Sequence, residues 1–110
     1  MKFGIFLIAS SPNRDHKRDY DEMLEQAEYA EALGYDSIWV AEHHSAYGSI
    51  SSPAVLLAAI AQRTKRIRIG SSISVLPFQN PVRTAEEYAM VDVLSGGRLN
   101  FGVGRGNPAT

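Results

Sequence analysis

Cysteine is absent from the sequence, which excludes a disulfide framework, a thiolate zinc centre and a cysteine nucleophile, and fits a reducing, cytoplasmic setting. Long apolar runs are missing as well. The longest, Ala54 to Ala61, is far shorter than the roughly 20 residues a membrane-spanning helix takes, so no membrane partner is expected. Neither sign of charge dominates. Eleven Lys and Arg against 12 Asp and Glu leave a net charge of −1, so no global field draws the chain to nucleic acid. Histidine is scarce, with His43 and His44 adjacent and His16 far off. Consecutive Glu42, His43 and His44 do not converge on one ion, so no metal site is expected. No G-x-S-x-G elbow occurs, which leaves a serine hydrolase without a nucleophile.

What is present is an ordinary globular composition, 110 residues with 45% hydrophobic and 21% charged, enough for at most one domain over 1–110. Met1-Lys2 before Phe3 to Ala9 has the outline of a minimal signal peptide. Its shortness and Gly4 make a first buried strand the simpler reading.

The apolar pattern then alternates between two periods. Strand β1 is expected over 3–8, closed by the turn formers Ser10-Ser11-Pro12-Asn13. Tyr20, Met23, Leu24, Ala27, Ala30 and Leu33 recur every three or four residues, which predicts helix α1. Asp19 with Glu22 resembles a capping box at its start, and Gly34 suits a left-handed stop. The acidic residues of this helix, Glu31 included, read as a solvated face. Strand β2 is expected over 36–41 and runs into Glu42-His43-His44. Ser52-Pro53 opens α2, which ends on basic residues. Strand β3 is expected over 67–75, α3 between Pro81 and Gly96-Gly97, and β4 over 98–104. Trp39 and Phe101, as strand aromatics, read as core.

Strand starts recur about every thirty residues, the length of one βα unit, which predicts a parallel sheet with helices packed on it. An open doubly wound sheet and a (β/α)8 barrel share this rhythm. A barrel takes about 250 residues, so on that reading the chain is an incomplete N-terminal half.

In either architecture the working end is where strands hand over to helices. Glu42-His43-His44 follows β2 there, offering a proton donor or acceptor near neutral pH, with polar loop residues as the plainer alternative. Neighbouring strand side chains face opposite ways, so only one of the two histidines serves a given site. Gly102-Val103-Gly104-Arg105-Gly106 fails the dinucleotide fingerprint G-x-G-x-x-G by spacing. It suits an anion all the same, since bare backbone admits close approach and guanidinium grips phosphate. The alternative is that the glycines merely relieve crowding in the sheet and Arg105 is a solvated surface residue.

Taken in register, Met1-Lys2-Phe3-Gly4, Trp39-Val40-Ala41-Glu42-His43-His44, Val75-Leu76-Pro77 with Asn80-Pro81-Val82-Arg83, and the run Gly96 to Gly106 resemble the bacterial luciferase-like flavin monooxygenase family over essentially the whole chain. The resemblance implies a (β/α)8 barrel binding reduced FMN at the C-terminal strand ends, with the chain supplying β1-α1-β2-α2-β3-α3-β4. It implies that O2 and a small organic substrate react there, that a flavin reductase can supply the reduced FMN, and that the whole enzyme dimerises through α2 and α3. His43 matches the acid-base position beside the flavin and Arg105 the phosphate position, and the resemblance also sets Glu42 and Gly104 at the cofactor. Ser72 and Ile73 match a place in β3 where many members carry a non-proline cis peptide beneath the flavin ring. Gly104 stands where the luciferases proper have a cysteine by the flavin, which argues against light emission. The Glu-His-His motif favours FMN over the deazaflavin F420 used by another branch. A non-catalytic flavin-binding subunit is the reading from outside the enzymes.

Overall fold

The computed structural model describes residues 1–44, 48 and 50–107. Four strands, β1 (Gly4–Leu7), β2 (Ser37–Val40), β3 (Arg68–Val75) and β4 (Leu99–Gly104), alternate with helices α1 (His16–Ala32), α2 (Pro53–Arg63) and α3 (Pro81–Leu94). The strands lie side by side in chain order and every pairing is parallel. Each connection therefore crosses over through a helix, as parallel neighbours require. The chain forms the first three βα units and the fourth strand of a (β/α)8 barrel.

Register sorts the side chains by face. Ile5, Ile38, Ile69 and Leu99 form one row across the sheet, and Leu7 with Val40 forms part of another two residues on. Both rows face the helices and pack with Leu57, Ile60, Met23 and Ala27. Ile38, Val40, Leu57, Ile60 and Ile69 are wholly buried. Burial of each such side chain contributes about 1.5–3 kcal/mol, which makes this layer the main source of stability. The intervening row holds Phe6 and Trp39. Phe6 and Ile8 remain 51% and 60% exposed, because no layer of the described chain covers that face. Of the expected core aromatics, Trp39 departs from the sequence reading for this reason, whereas Phe101 shares the helix-side row of Val40 and Ser71 and lies on a strand with no neighbour beyond it in the described sheet. Trp39 is half-buried, held by its indole N–H donating to Ser37 Oγ at 2.9 Å. Phe101 is 46% exposed although its ring meets Tyr88 of α3 at 4.3 Å.

Helix ends show where local signals speak plainly. Helix α1 begins one turn earlier than the apolar period indicates, and its cap is Asp15, whose side chain accepts from the Arg18 N–H at 3.2 Å. Asp19 with Glu22 is not the cap, and Glu22 instead pairs with the Arg18 guanidinium. The first turn, His16-Lys17-Arg18, is polar, and a periodicity of buried residues does not register it. At the other end Gly34 has φ +87°. Its N–H reaches the Glu31 carbonyl while the Tyr35 N–H reaches that of Ala30, the Schellman stop that glycine admits. Asn80 caps α3 by accepting from the N–H groups of Val82 and Arg83. Ser52 precedes α2 at the N-cap without a side-chain bond.

Two charged residues outside the site join the layers. Glu31, read from sequence as solvated, accepts from the backbone N–H groups of Lys65, Arg66 and Ile67, fixing the turn between α2 and β3. Arg98, nearly buried, donates to the carbonyls of Ser95, Ala61, Thr64 and Ile67 and to Thr64 Oγ1. Burial lowers the pKa of its guanidinium, partly offset by Glu31.

Candidate functional site at the carboxyl ends of the strands

Ser71 pairs with Val40, the last residue of β2, so the next residue, Ser72, stands level with the end of that strand. The Ser72–Ile73 peptide bond is cis. Between the pairs Ser71–Phe101 and Ser74–Val103 the register slips, so that Ser72 and Ile73 oppose the single residue Gly102. This bulge re-aims the strand at its working end. The Ser71 hydroxyl spans the gap, donating to the Gly102 carbonyl at 2.8 Å and accepting from its N–H at 3.2 Å. A Cβ on Gly102 would collide with the Ser71 carbonyl, and one on Gly104 with the Ile73 side chain. Crowding thus explains why both positions are glycine, whatever ligand they serve.

Ser72 lies in a hollow of the uncovered face together with Phe6 and Trp39. Past the bulge, Val75 pairs with Gly104, which puts exposed Arg105 at the strand end. Arg105 forms no ion pair with another described residue. The same Val75 donates its N–H to Glu42 Oε1 at 3.3 Å. Glu42 after β2 and Arg105 after β4 are therefore brought to one end of the sheet through β3.

Glu42 is not open to solvent: its side chain is 2% exposed. Oε1 also accepts from Gln79 Nε2 at 2.9 Å, and Oε2 lies 2.8 Å from His44 Nε2. Gln79 donates as well to Ser74 Oγ and accepts from the Thr84 hydroxyl. The His44 ring meets Phe78 edge-on at 5.0 Å. His44, Phe78, Gln79 and Thr84 line a cleft of ≈ 280 Å³ with Glu42. His43 is half-buried and its N–H donates to the Ile50 carbonyl at 2.8 Å. Alternation along an extended chain sends its side chain away from the face that Glu42 and His44 share. Of the two histidines, His44 thus belongs to the cleft network.

Sequence reasoning overlooked Gln79, Ser74 and Tyr88. Tyr88 is buried, and its hydroxyl makes no well-formed hydrogen bond. Burial pushes the phenol pKa up, partly offset by the nearby Ser74 and Ser71. Ser74 lies in β3, Gln79 in the connection that follows it and Tyr88 on α3, and no local signal marks that these three would meet. Among the described residues no cluster of His, Asp or Glu is arranged to hold a metal, and no helix is long and apolar enough to cross a membrane.

The sequence and the fold are similar to those of known proteins. The chain is 41% identical to the 4-hydroxyprotoasukamycin monooxygenase of Streptomyces nodosus subsp. asukaensis over 113 residues, covering 97% of this chain and 29% of that one. It is 38% identical to the oxygenase component of the flavin-dependent trigonelline monooxygenase of Acinetobacter baylyi, covering 96% and 30%. Among solved structures it superposes at a TM-score of 0.91 on the oxygenating constituent of 3,6-diketocamphane monooxygenase from Pseudomonas putida in complex with FMN. That match has 29% identity and covers 97% and 30% of the two chains. The coenzyme F420-dependent tetrahydromethanopterin reductase of Methanopyrus kandleri superposes at 0.81 with 28% identity, covering 99% and 28%. The chain spans about a third or less of the length of these relatives. The family model for luciferase-like monooxygenases matches residues 1–110, and the chain belongs to that family.

Proposed function

We propose that this chain is part of a flavin-dependent monooxygenase that uses reduced FMN and O2 on a small organic substrate. The observation that carries the reading is the convergence of Glu42-His43, Ser72-Ile73 and Gly104-Arg105 at one end of a parallel sheet, beside an uncovered aromatic face. The residues present suit FMN. Phe6 and Trp39 with Ser72 form one hollow, an apolar wall of the kind a planar ring requires. An exposed guanidinium on a glycine-rich strand end suits a phosphate.

FMN would supply the electrons and the activation of O2, and the protein supplies the environment. Arg105 would grip the phosphate and fix the depth of the ring. Ser72 and Ile73, with Gly104, would form part of the surface beneath it. His43 would hold or move a proton beside the ring, a role an imidazole fills near neutral pH. The apolar wall would exclude water. A separate flavin reductase as partner, a homo-oligomeric enzyme and a cytoplasmic location complete this reading. The flavin-dependent relative that is an oxygenase component supports the reductase.

A second reading, an F420-dependent oxidoreductase, is favoured by the likeness to the F420-dependent reductase. The decisive experiment is a cofactor exchange in the intact enzyme. Reduced FMN with O2 uptake is expected to support turnover. Turnover with F420 and no O2 uptake would replace the first reading by the second. Tight flavin binding without either reaction would make the protein a flavin-binding subunit.

A further inference from the structure

The resemblance sets Glu42 beside the cofactor, yet both of its carboxylate oxygens are taken by protein groups. Oε1 receives the Val75 N–H and the Gln79 amide, and Oε2 receives His44. Gln79 in turn bonds Ser74 of β3 and Thr84 of α3. One partly buried network thus ties together the end of β2, the end of β3 and the first turn of α3. Two proposed site residues hang from it. His43 sits between Glu42 and His44, with its own N–H fixed on Ile50. Arg105 follows Gly104, the register partner of the Val75 whose N–H Glu42 holds.

Resting on the flavin-enzyme reading above, we propose that Gln79 and Glu42 form a positioning pair. They set the direction of His43 and the height of the β3–β4 end that carries Arg105, and neither touches the flavin. Gln79 is the informative member. Glu42 is buried and satisfies a backbone N–H, whose orphaning would itself cost stability. Gln79 bonds only side chains through its amide, so its truncation loosens the network and leaves the strands paired.

The test uses the intact enzyme with Gln79→Ala, Glu42→Ala, the double variant, and Glu42→Gln as the conservative replacement. Three quantities are read: kcat and KM, FMN affinity by fluorescence quenching, and the 15N imidazole signals of His43 and His44. Misplacement of an acting group by about 1 Å costs up to about a hundredfold in rate. Gln79→Ala is therefore expected to lower kcat by about tenfold or more and to move both imidazole signals. FMN affinity falls by several-fold, less than on loss of Arg105 itself, and the double variant loses little beyond the worse single one, as coupled residues do. Glu42→Gln, which keeps an acceptor for Gln79 and Val75, restores most of the rate.

An unchanged kcat in Gln79→Ala, or strictly additive losses, overturns the pairing. FMN affinity that collapses in Glu42→Ala and holds in Gln79→Ala overturns it in favour of direct contact. Should Glu42→Ala fail to fold, Gln79→Ala decides alone. If the unaltered enzyme shows no flavin-dependent turnover, the functional reading fails separately. The imidazole signals then still judge the positioning: movement of His43 on Gln79→Ala upholds it, and no movement refutes it.

Discussion

The side chain of Ile73 fills the space in which a Cβ on residue 104 would lie. The two positions are therefore one steric unit across β3 and β4, and the glycine is there because the isoleucine is. Gly104→Cys is expected to push Ile73 out of place and to destabilise the protein by about 1–3 kcal/mol, the usual cost of overpacking. Combining it with Ile73→Ala should recover most of that loss. Denaturant unfolding of the two singles and the double checks this. Losses that simply add would show that the two side chains do not compete for one space.

Arg98 donates to the carbonyls of Ala61, Thr64 and Ile67, which close the carboxyl end of α2 and the entry to β3. Arg98→Met keeps length and removes every donor. With several acceptors orphaned at about 1–3 kcal/mol each, a loss of about 3 kcal/mol or more is expected. Urea unfolding measures it, and a loss under about 1 kcal/mol would mean that water replaces the guanidinium at those carbonyls.

Glu31 gives the protein an acid-sensitive joint. Burial pushes its carboxyl pKa up, but the N–H groups of Ile67, Arg66 and Lys65 outweigh that, and the net shift is downward from 4.5. A carboxylate whose folded pKa is depressed contributes stability that is fully present above its unfolded pKa and is lost as pH falls through the folded one. Unfolding free energy should therefore drop below about pH 4.5, and Glu31→Gln should flatten part of that drop while lowering stability at neutral pH. Identical pH profiles for the two proteins between pH 3 and pH 6 would remove Glu31 from the account, those limits being about 1.5 units either side of 4.5.

Arg105 and His43 are expected to separate binding from turnover. Arg105→Ala should weaken FMN more than riboflavin, since only FMN carries the phosphate that a guanidinium grips. His43→Ala should chiefly slow turnover, by about a hundredfold or more if it transfers a proton. Parallel flavin titrations and steady-state rates decide both. Equal loss of the two flavins, or an unaffected rate, would reassign the residue concerned.

Residues 1–110 expressed alone should self-associate. Strands β1 and β4 each have one neighbour in the described sheet, leaving unpaired backbone groups, and Phe6 and Ile8 stand exposed on one face. Open edges and apolar patches of this kind promote association. FMN binding should also be weak, since four strands offer part of a site. Light scattering during size-exclusion chromatography, followed by FMN titration, tests both expectations, and Phe6→Lys should reduce the association. A monomer that binds FMN at micromolar affinity would show that four strands suffice.

The sequence by itself determined the order of the elements and the end of the sheet at which chemistry collects. Periods of two and of three to four residues, with a stop such as Gly34 and a start such as Asn80-Pro81, are local signals, and parallel topology follows once strands and helices alternate. The placing of His43 and Arg105 at one end of the sheet was legible because a strand end is a place in the sequence as well as in space, whereas Ser72, inside β3, was pointed to by the family resemblance alone. Tertiary structure alone decided the contacts made across about thirty or more residues. It turned Glu42 toward Gln79 and Val75, drew Glu31 from a solvated helix face onto three backbone donors, and set Ile73 in the space that residue 104 leaves. It also left Phe101 exposed, because burial depends on what lies beside and over a strand, and a strand's own residues do not encode those neighbours.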